Sequence, residues 1–417
     1  MRKKVDIITL MDVPNFGSML QAYATGILIE REGYDVEFID YYRINHSAWS
    51  KFKIFIFDKS LGNIVKRFIY GCATLLFYSL LMKRLRSSVK NRFKFTRYYR
   101  TIEALEKNPP KADLFMTGSD QVWNSVHNKS IDKALFLSFV QGKKVAFSAS
   151  VGLESFPDNE LAETKSLLDT YDKISVRERH TKDYFRKLGY KDTEQVLDPT
   201  LMLTADEWRD IIGLKSRNDD EQHYLLVYSV ERFNNDFIFS QAKKIAADLG
   251  LKTYAISATF PVKAKRYGID KVFALGTIKQ FLTLIANADY VIASSFHGTA
   301  FSINFNKPFI TILSEQFNIR MKSLIEMIDV SDRILTTQDF SVKELSPIDY
   351  VNINEDGLID LNHLKSLLSK DTVLVSICHV NSEVGIKQNI NEIGKILKNY
   401  PTTIFHVDGT QAVGKIP

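Results

Sequence analysis

A histidine stands where a buried apolar run ends. In YVIASSFHGTAFSINFNKPF, Tyr290 to Phe309, the run before His297 reads as a strand, and Gly298-Thr299 followed by apolar residues reads as a turn into a helix. This puts His297 on a sharp loop, with Ser295, Gly298 and Thr299 beside it as binding candidates, because open α/β sheets gather their ligands at the carboxyl ends of strands. An imidazole exchanges protons near neutral pH, so His297 is the candidate acid or base. Taken alone, the FHG triplet is read equally well as a capped, hydrogen-bonded loop histidine.

Three other places offer binding chemistry. Gly118-Ser119-Asp120-Gln121-Val122-Trp123-Asn124 follows an apolar run, and Gly118 lets the backbone turn, so Ser119, Asp120, Gln121 and Asn124 beside a tryptophan suit sugar recognition. Asn15-Phe16-Gly17-Ser18 with Gln21 leads into a helix whose exposed N–H groups favour an anion. A plain N-cap by Asn15 or Ser18 explains the same residues. Arg177, in KISVRER, carries a fork of donors that can clamp a carboxylate or phosphate. Its alternative is an ion pair with Glu178, Glu194 or Asp198.

The elements that must position these side chains alternate between strand-like and helical patterns. VDIITL, a helical stretch from Met19 to Glu30 and YDVEFIDYY set a βαβ rhythm that continues through DLFMTGSD, KVAFSASVG and KISVRER. A charge-rich helical segment, TADEWRDIIGLKSRNDDEQ, interrupts it, and YLLVYSV, LKTYAIS and YVIASSFHG begin a second series. The expected fold is α/β, with two doubly wound, Rossmann-like domains at 1–212 and 220–345 facing a cleft. A third segment, 346–417, holds a helix from Leu361 to Leu368, a strand TVLVSICHV that is apolar on both faces, another helix and a strand TIFHVDG. It reads as an incomplete α/β piece.

Composition bounds the function classes. The chain has 417 residues, 45% of them hydrophobic, which suits a globular protein of two or three domains and excludes a disordered chain. Cys72 and Cys378 have no metal-ligand spacing, so a reduced, cytoplasmic setting is the default and no metal is expected. The apolar start after Lys4 is short and contains Asp6 and Asp12, which makes it a first strand and no signal peptide. Phe68 to Met82 is the most apolar segment, but its 15 residues fall short of the roughly 18 to 20 that span a bilayer, so a buried or interfacial helix is expected. The net charge of +6 concentrates between Lys83 and Arg100, which reads first as a solvated basic helix face and next as peripheral membrane contact through 68–100. No nucleic-acid motif accompanies it.

The motifs together carry a resemblance that none carries alone. DVPNFGSMLQAYAT, DLFMTGSDQVWN, KVAFSASVG, KISVRERHT, VLDPTLML and YVIASSFHGTAFSINFNKPF resemble, in order and spacing, the polysaccharide pyruvyl transferase family over roughly Val5 to Ile334. The resemblance implies a glycosyltransferase-B-like pair of Rossmann domains that moves pyruvyl from phosphoenolpyruvate onto two hydroxyls of a cell-surface or capsular sugar, as a ketal. It also implies no cofactor, a glycan acceptor that is lipid-linked in some settings, and a place in the cytoplasm or at the inner face of the membrane. His297 would act as acid or base and Arg177 as donor clamp. The sequence departs at Ser295, where many members carry arginine. A nucleotide-sugar glycosyltransferase on the same fold, and a non-catalytic sugar-binding or membrane-surface module, are the alternative readings.

The last segment resembles a different family. GLIDLNHLKSLLSKDTVLVSICHVNSEVGIKQNINEIGKILKNYPTTIFHVDGTQAVGKIP is similar to an internal portion of cysteine desulfurases, pyridoxal-phosphate enzymes of the class V aminotransferase fold. The resemblance implies that Asp408 pairs with the pyridinium nitrogen and Gln411 with the ring hydroxyl. Ser382 replaces a cofactor-contacting asparagine, and the Schiff-base lysine is not in the sequence, so the tail is expected to be inactive by itself and to bind no pyridoxal phosphate.

Overall fold

In the computed structural model the described residues are 2–43, 46–57, 63–214, 222–230, 235–257, 266–313, 319–327, 333–335, 351–354, 356–370, 372, 374–380, 386–409 and 412. The chain divides into two compact units, Met1–Ser346 and Pro347–Pro417.

Two parallel sheets organise the first unit. One contains β1 (Lys4–Ile8), β2 (Asp35–Phe38), β3 (Lys94–Phe95), β4 (Leu114–Thr117), β5 (Lys144–Ala149), β6 (Lys173–Val176) and β7 (Glu194–Gln195), in the order β3-β2-β1-β4-β5-β6-β7. The other contains β8 (Tyr224–Ser229), β9 (Lys252–Ser257), β10 (Lys271–Ala274), β11 (Tyr290–Ala293), β12 (Phe309–Ile312) and β13 (Ile334–Leu335), in the order β10-β9-β8-β11-β12-β13. Counted from its own first strand, each sheet follows the doubly wound order, which reverses between β1 and β4 and again between β8 and β11. The expected pair of Rossmann-like sheets is therefore present. Burial explains why the apolar runs become strands: β1, β8 and β11 are buried almost throughout, as parallel strands covered on both faces must be. The short strands β3, β7 and β13 have two residues each, too few for any period to show.

The charge-rich segment between the sheets, as far as Leu214, packs inside the unit. Thr204 and Glu207 close a capping box on the helix Ala205–Ile212, and Trp208 on that helix is fully buried, its Nε1 donating to the Thr200 carbonyl at 2.9 Å. Trp208 lies edge-on to Phe301 beyond β11, while Phe16 of helix α1 (Phe16–Arg31) stacks on Phe281 at 4.9 Å. One apolar core thus runs from the first sheet into the second.

Two expectations need correction. Phe68 to Met82 is only part of a 27-residue helix, α3 (Ile64–Lys90), which follows α2 (Ala48–Phe57) and is long and apolar enough, by length and composition, to cross a membrane. Helix-favouring Lys and Arg residues extend it beyond the apolar run. The basic stretch from Lys83 to Arg100 is also no single helix face. The helix ends at Lys90, Lys94–Phe95 forms the edge strand β3, and Arg86 and Lys90 bind Asp40 while Arg92 binds Glu30.

In the second unit, β14 (Leu374–Cys378) pairs in parallel with β15 (Ile404–Asp408), and helices Leu361–Leu367 and Ile390–Leu397 pack on them. β14, apolar on both faces, is covered on one. Val375 and Ile377 face Leu364, Ile393 and Leu397, whereas Leu374 is 53% and Ile404 61% exposed. Among the described residues both helices cover the same face.

Candidate active site

Residues that follow β1, β4, β6, β7 and β11 meet around His297. His297 lies in the first turn of the helix Phe296–Asn304, not on a loop, because Ser295 caps that helix by accepting from the Gly298 N–H at 2.9 Å and so starts it earlier than the sequence suggested. The imidazole is buried and faces the first sheet, with Nε2 3.6 Å from Asp198 Oδ2. Gly17, in the first turn of α1, lies so close beneath it that a Cβ would stand 2.0 Å from Nδ1. The glycine is required for close approach rather than for an unusual backbone.

Around His297 the first sheet supplies an ionic network. Arg177 follows β6 and gives Nη1 to Asp198 Oδ2 at 2.6 Å and Nε to Glu178 Oε1 at 3.1 Å. Two of the proposed ion-pair partners are therefore occupied, and Arg177 is not a free clamp; Glu194 pairs instead with Lys182 and Arg186. Asp198 is further held by the N–H and Oγ1 of Thr200, at 2.9 and 2.6 Å, and Glu178 by Ser150 Oγ at 2.7 Å. Asp120 accepts from Ser18 Oγ at 2.6 Å, and its Oδ1 lies 3.9 Å from Arg177 and 3.6 Å from Arg320. Its backbone has φ of 73°, and Ser148 at the end of β5 has 54°, so two non-glycine residues beside the network adopt left-handed conformations. Such strain clusters at functional sites.

Burial pushes both aspartates upward, but neighbouring charge wins. His297 and Arg177 hold the Asp198 carboxyl well below the usual range, and His297, Arg177 and Arg320 do the same for Asp120. Both are carboxylates at neutral pH. Burial, with Arg177 nearby, draws Arg320 down to about 10.

Arg320, in the helix Ile319–Met327, was not among the sequence candidates, since a lone arginine opening a helix carries no local signal. Its Nη2 lies 2.8 Å from the Gln121 amide, which accepts when turned oxygen-first. It also stands over the Phe296 ring at 5.9 Å, with Arg177 over the same ring at 4.3 Å. Asp198 was foreseen only as an alternative partner of Arg177; its Asp-Pro-Thr context is legible as a helix cap, not as a partner for His297.

Several candidates hold the frame. Asn15 caps α1, accepting from the Gly17 N–H at 2.8 Å, and Asn124 caps the short helix Ser125–Asn128. Gln21 donates to Thr9 Oγ1 at 2.8 Å, and Thr9 donates to the Ser119 carbonyl at 2.8 Å, which fixes the loop after β4. Ser119 Oγ reaches Asp198 at 3.4 Å. Gly298 packs against Tyr228 and Ala293, while Thr299 points away into the second sheet and meets Thr311 Oγ1 at 2.8 Å. Among the described residues, Arg177 Nη2, Arg320 Nε and His297 Nε2 are buried nitrogens with no hydrogen-bond partner. The crevice lined by Arg177, Glu178, Asp198, Phe296 and Arg320 holds only about 10 Å³ of free space. No cluster of His, Cys, Asp and Glu among the described residues could hold a metal ion.

In the second unit Asp408 is exposed at the end of β15, beside Cys378 in register, and Gln411 and Ser382 lie outside the described residues. Of the three implied cofactor contacts, Asp408 lies among the described residues, with an exposed carboxylate.

Comparison with known proteins gives two family matches that overlap at 297–315. Residues 297–417 match the aminotransferase class-V family. Cysteine desulfurase IscS of Buchnera aphidicola subsp. Acyrthosiphon pisum (strain 5A) is 51% identical over 85 residues, 20% of this chain and 19% of that protein. Its counterpart in Histophilus somni (strain 2336) is 42% identical over 101 residues, 24% of this chain and 25% of that protein. The chain thus spans about a fifth to a quarter of the length of these relatives. Among solved structures, the S. aureus MnaA-UDP co-structure covers 81% of this chain and 84% of its own, at 11% identity and a TM-score of 0.48. E. coli heptosyltransferase WaaC with ADP covers 78% and 98%, at 12% identity and a TM-score of 0.37. The polysaccharide pyruvyl transferase family matches residues 15–315, well over half the sequence and every polar side chain placed around His297 except Arg320, and the chain belongs to that family.

Proposed function

We propose that the first unit transfers pyruvyl from phosphoenolpyruvate to two hydroxyls of a glycan, with His297 as the proton carrier. Membership of the family supports a transferase acting on glycans. The observation that carries the finer reading is the set of buried nitrogens that make no hydrogen bond, Arg177 Nη2, Arg320 Nε and His297 Nε2, gathered beside Phe296. A ligand rich in acceptors, with a carboxylate and a phosphate, would satisfy them.

In the proposed reaction a proton reaches the enol methylene carbon and leaves a cationic centre at the adjacent carbon. One sugar hydroxyl adds there, the C–O bond to phosphate breaks, and the second hydroxyl closes the ketal. Of the two hydroxyl protons, one ends in the new methyl group and the other on phosphate. Asp120 and Asp198 are held ionised and are poor proton donors, which leaves His297 as the group that can both give and take. Asp198 would orient and balance the imidazole, and Arg177, itself fixed by Asp198 and Glu178, would offer Nη2 to the donor. With about 10 Å³ free in the crevice, the two sheets must part slightly to admit substrate.

Incubation with phosphoenolpyruvate and candidate glycans tests the reading by phosphate release and mass gain on sugar. Thermal shifts with phosphoenolpyruvate and with nucleotide sugars separate it from a glycosyltransferase. Stabilisation by nucleotide sugars alone would replace the donor. For the second unit we propose no pyridoxal phosphate binding. An absorbance change on adding the cofactor, lost in Asp408→Asn, would overturn that.

A further inference from the structure

We infer that the α2–α3 hairpin seats this protein on an anionic bilayer, with α3 lying in the plane of the interface. The inference does not depend on which donor the active site uses. Along α3, Val65, Phe68, Ile69, Leu76 and Leu80 recur at helical spacing and form one stripe, 63, 54, 60, 63 and 40% exposed. On α2, Trp49, 56% exposed, stacks on Phe52, which meets Phe68 edge-on, and Phe57 is 77% exposed. An apolar patch of this extent marks an interaction surface.

Geometry argues for lying on the bilayer and against crossing it. Leu81, Leu85 and Val89, on the last turns of α3, are fully buried in the core shared with α1. That end cannot enter lipid without dismantling the core. The exposed stripe from Val65 to Leu80 is about 22 Å long at 1.5 Å per residue, short of the roughly 30 Å of a hydrocarbon core. A helix held in the protein core at one end and apolar on its exposed side rests at the interface.

Charge names the occupant. From Ser47 to Lys90 the sequence carries nine lysines and arginines and a single acidic residue, Asp58. Arg86 and Lys90 are spent on Asp40 and Arg84 donates to the Leu275 carbonyl at 2.6 Å, but Lys53, Lys66 and Lys83 flank the apolar surface. Where the stripe ends, an open groove of about 460 Å³ is lined by Leu80, Lys83, Arg84, Ser87 and Ser88 among others. Cationic and hydroxyl groups at the edge of an apolar stripe match phosphate headgroups above acyl chains. A second copy of this chain would present the same positive charge to itself.

The test is flotation of the full chain with vesicles of phosphatidylglycerol and phosphatidylethanolamine, with phosphatidylcholine vesicles as the neutral control. The wild type should float with the anionic vesicles and be released by salt. Ile69→Asp/Leu76→Asp and, separately, Lys66→Glu/Lys83→Glu should each weaken partitioning at least about tenfold, with circular dichroism and melting unchanged because these side chains are exposed. The proposal is overturned if the wild type stays with the soluble fraction at low salt, or if either double variant floats as well as the wild type. It is also overturned if the wild type is a dimer that Ile69→Asp/Leu76→Asp makes monomeric, since a second copy would then cover the face.

Discussion

His297 follows β11 and Asp408 closes β15, so both stand at the carboxyl end of a parallel strand inside a segment with a family signature. Their surroundings differ. β11 has β8 and β12 on either side and a whole second sheet opposite its end, and His297 is 5% exposed among charged partners. β15 pairs with β14 in a two-stranded sheet whose helices share one face, and Asp408 is exposed. A strand end becomes a site when a second layer closes over it, because only then are charges desolvated enough to hold and perturb one another.

The comparison breaks first at Asp198. Asp198→Ala strips Arg177 of its shortest partner and leaves Glu178 and the more distant Asp120 to balance the buried guanidinium groups of Arg177 and Arg320, so urea unfolding of the first unit should lose about 3–5 kcal/mol. Acid sharpens the same point. Asp198 and Asp120 have folded-state pKa values below their unfolded values, so the stability they give is complete above about pH 4, the unfolded carboxylate range, and drains away as the pH falls toward the folded values. The first unit's urea midpoint should fall below about pH 4, and Asp198→Ala should flatten that fall.

His297→Ala should lower phosphate release by about 10²–10⁴-fold, the range for a lost acid or base. Undiminished turnover would remove the role. Gly17→Ala comes next. Its Cβ cannot coexist with His297 where it stands, so a cost of about 1–3 kcal/mol from overpacking should accompany a displaced imidazole and reduced turnover. The smallest effect is expected in the second unit, where Asp408→Asn should leave both phosphate release and melting unchanged within error. A measurable loss of transfer would show that the two units act together.

Much of this architecture was legible in order along the chain. VDIITL, DLFMTGSD, KISVRER and YVIASSFHG read as strands because a strand covered on both faces must be apolar throughout, and small or polar residues at their ends marked the loops. Asn15 was legible as a helix cap, since the orphan N–H groups it satisfies belong to residues two or three positions ahead, whereas Ser295 and Asp198 cap helices that were not expected to start there. Arg320 was not legible. Its partners, Gln121 and Asp120, lie about two hundred positions earlier, and no local pattern encodes a contact at that separation.

Sequence alone therefore determined the doubly wound pair of sheets, the family, and the residue types available at each strand end, because period, propensity and capping act over a few residues. Only the tertiary structure decided which strand ends meet. It turned Arg177 from a free clamp into a fixed one, sent Thr299 away from the site, brought Arg320 into it, and exposed one side of α3 while burying its last turns. Those outcomes depend on the facing of distant surfaces, which follows from packing two layers into one core and is written in no single stretch of the chain.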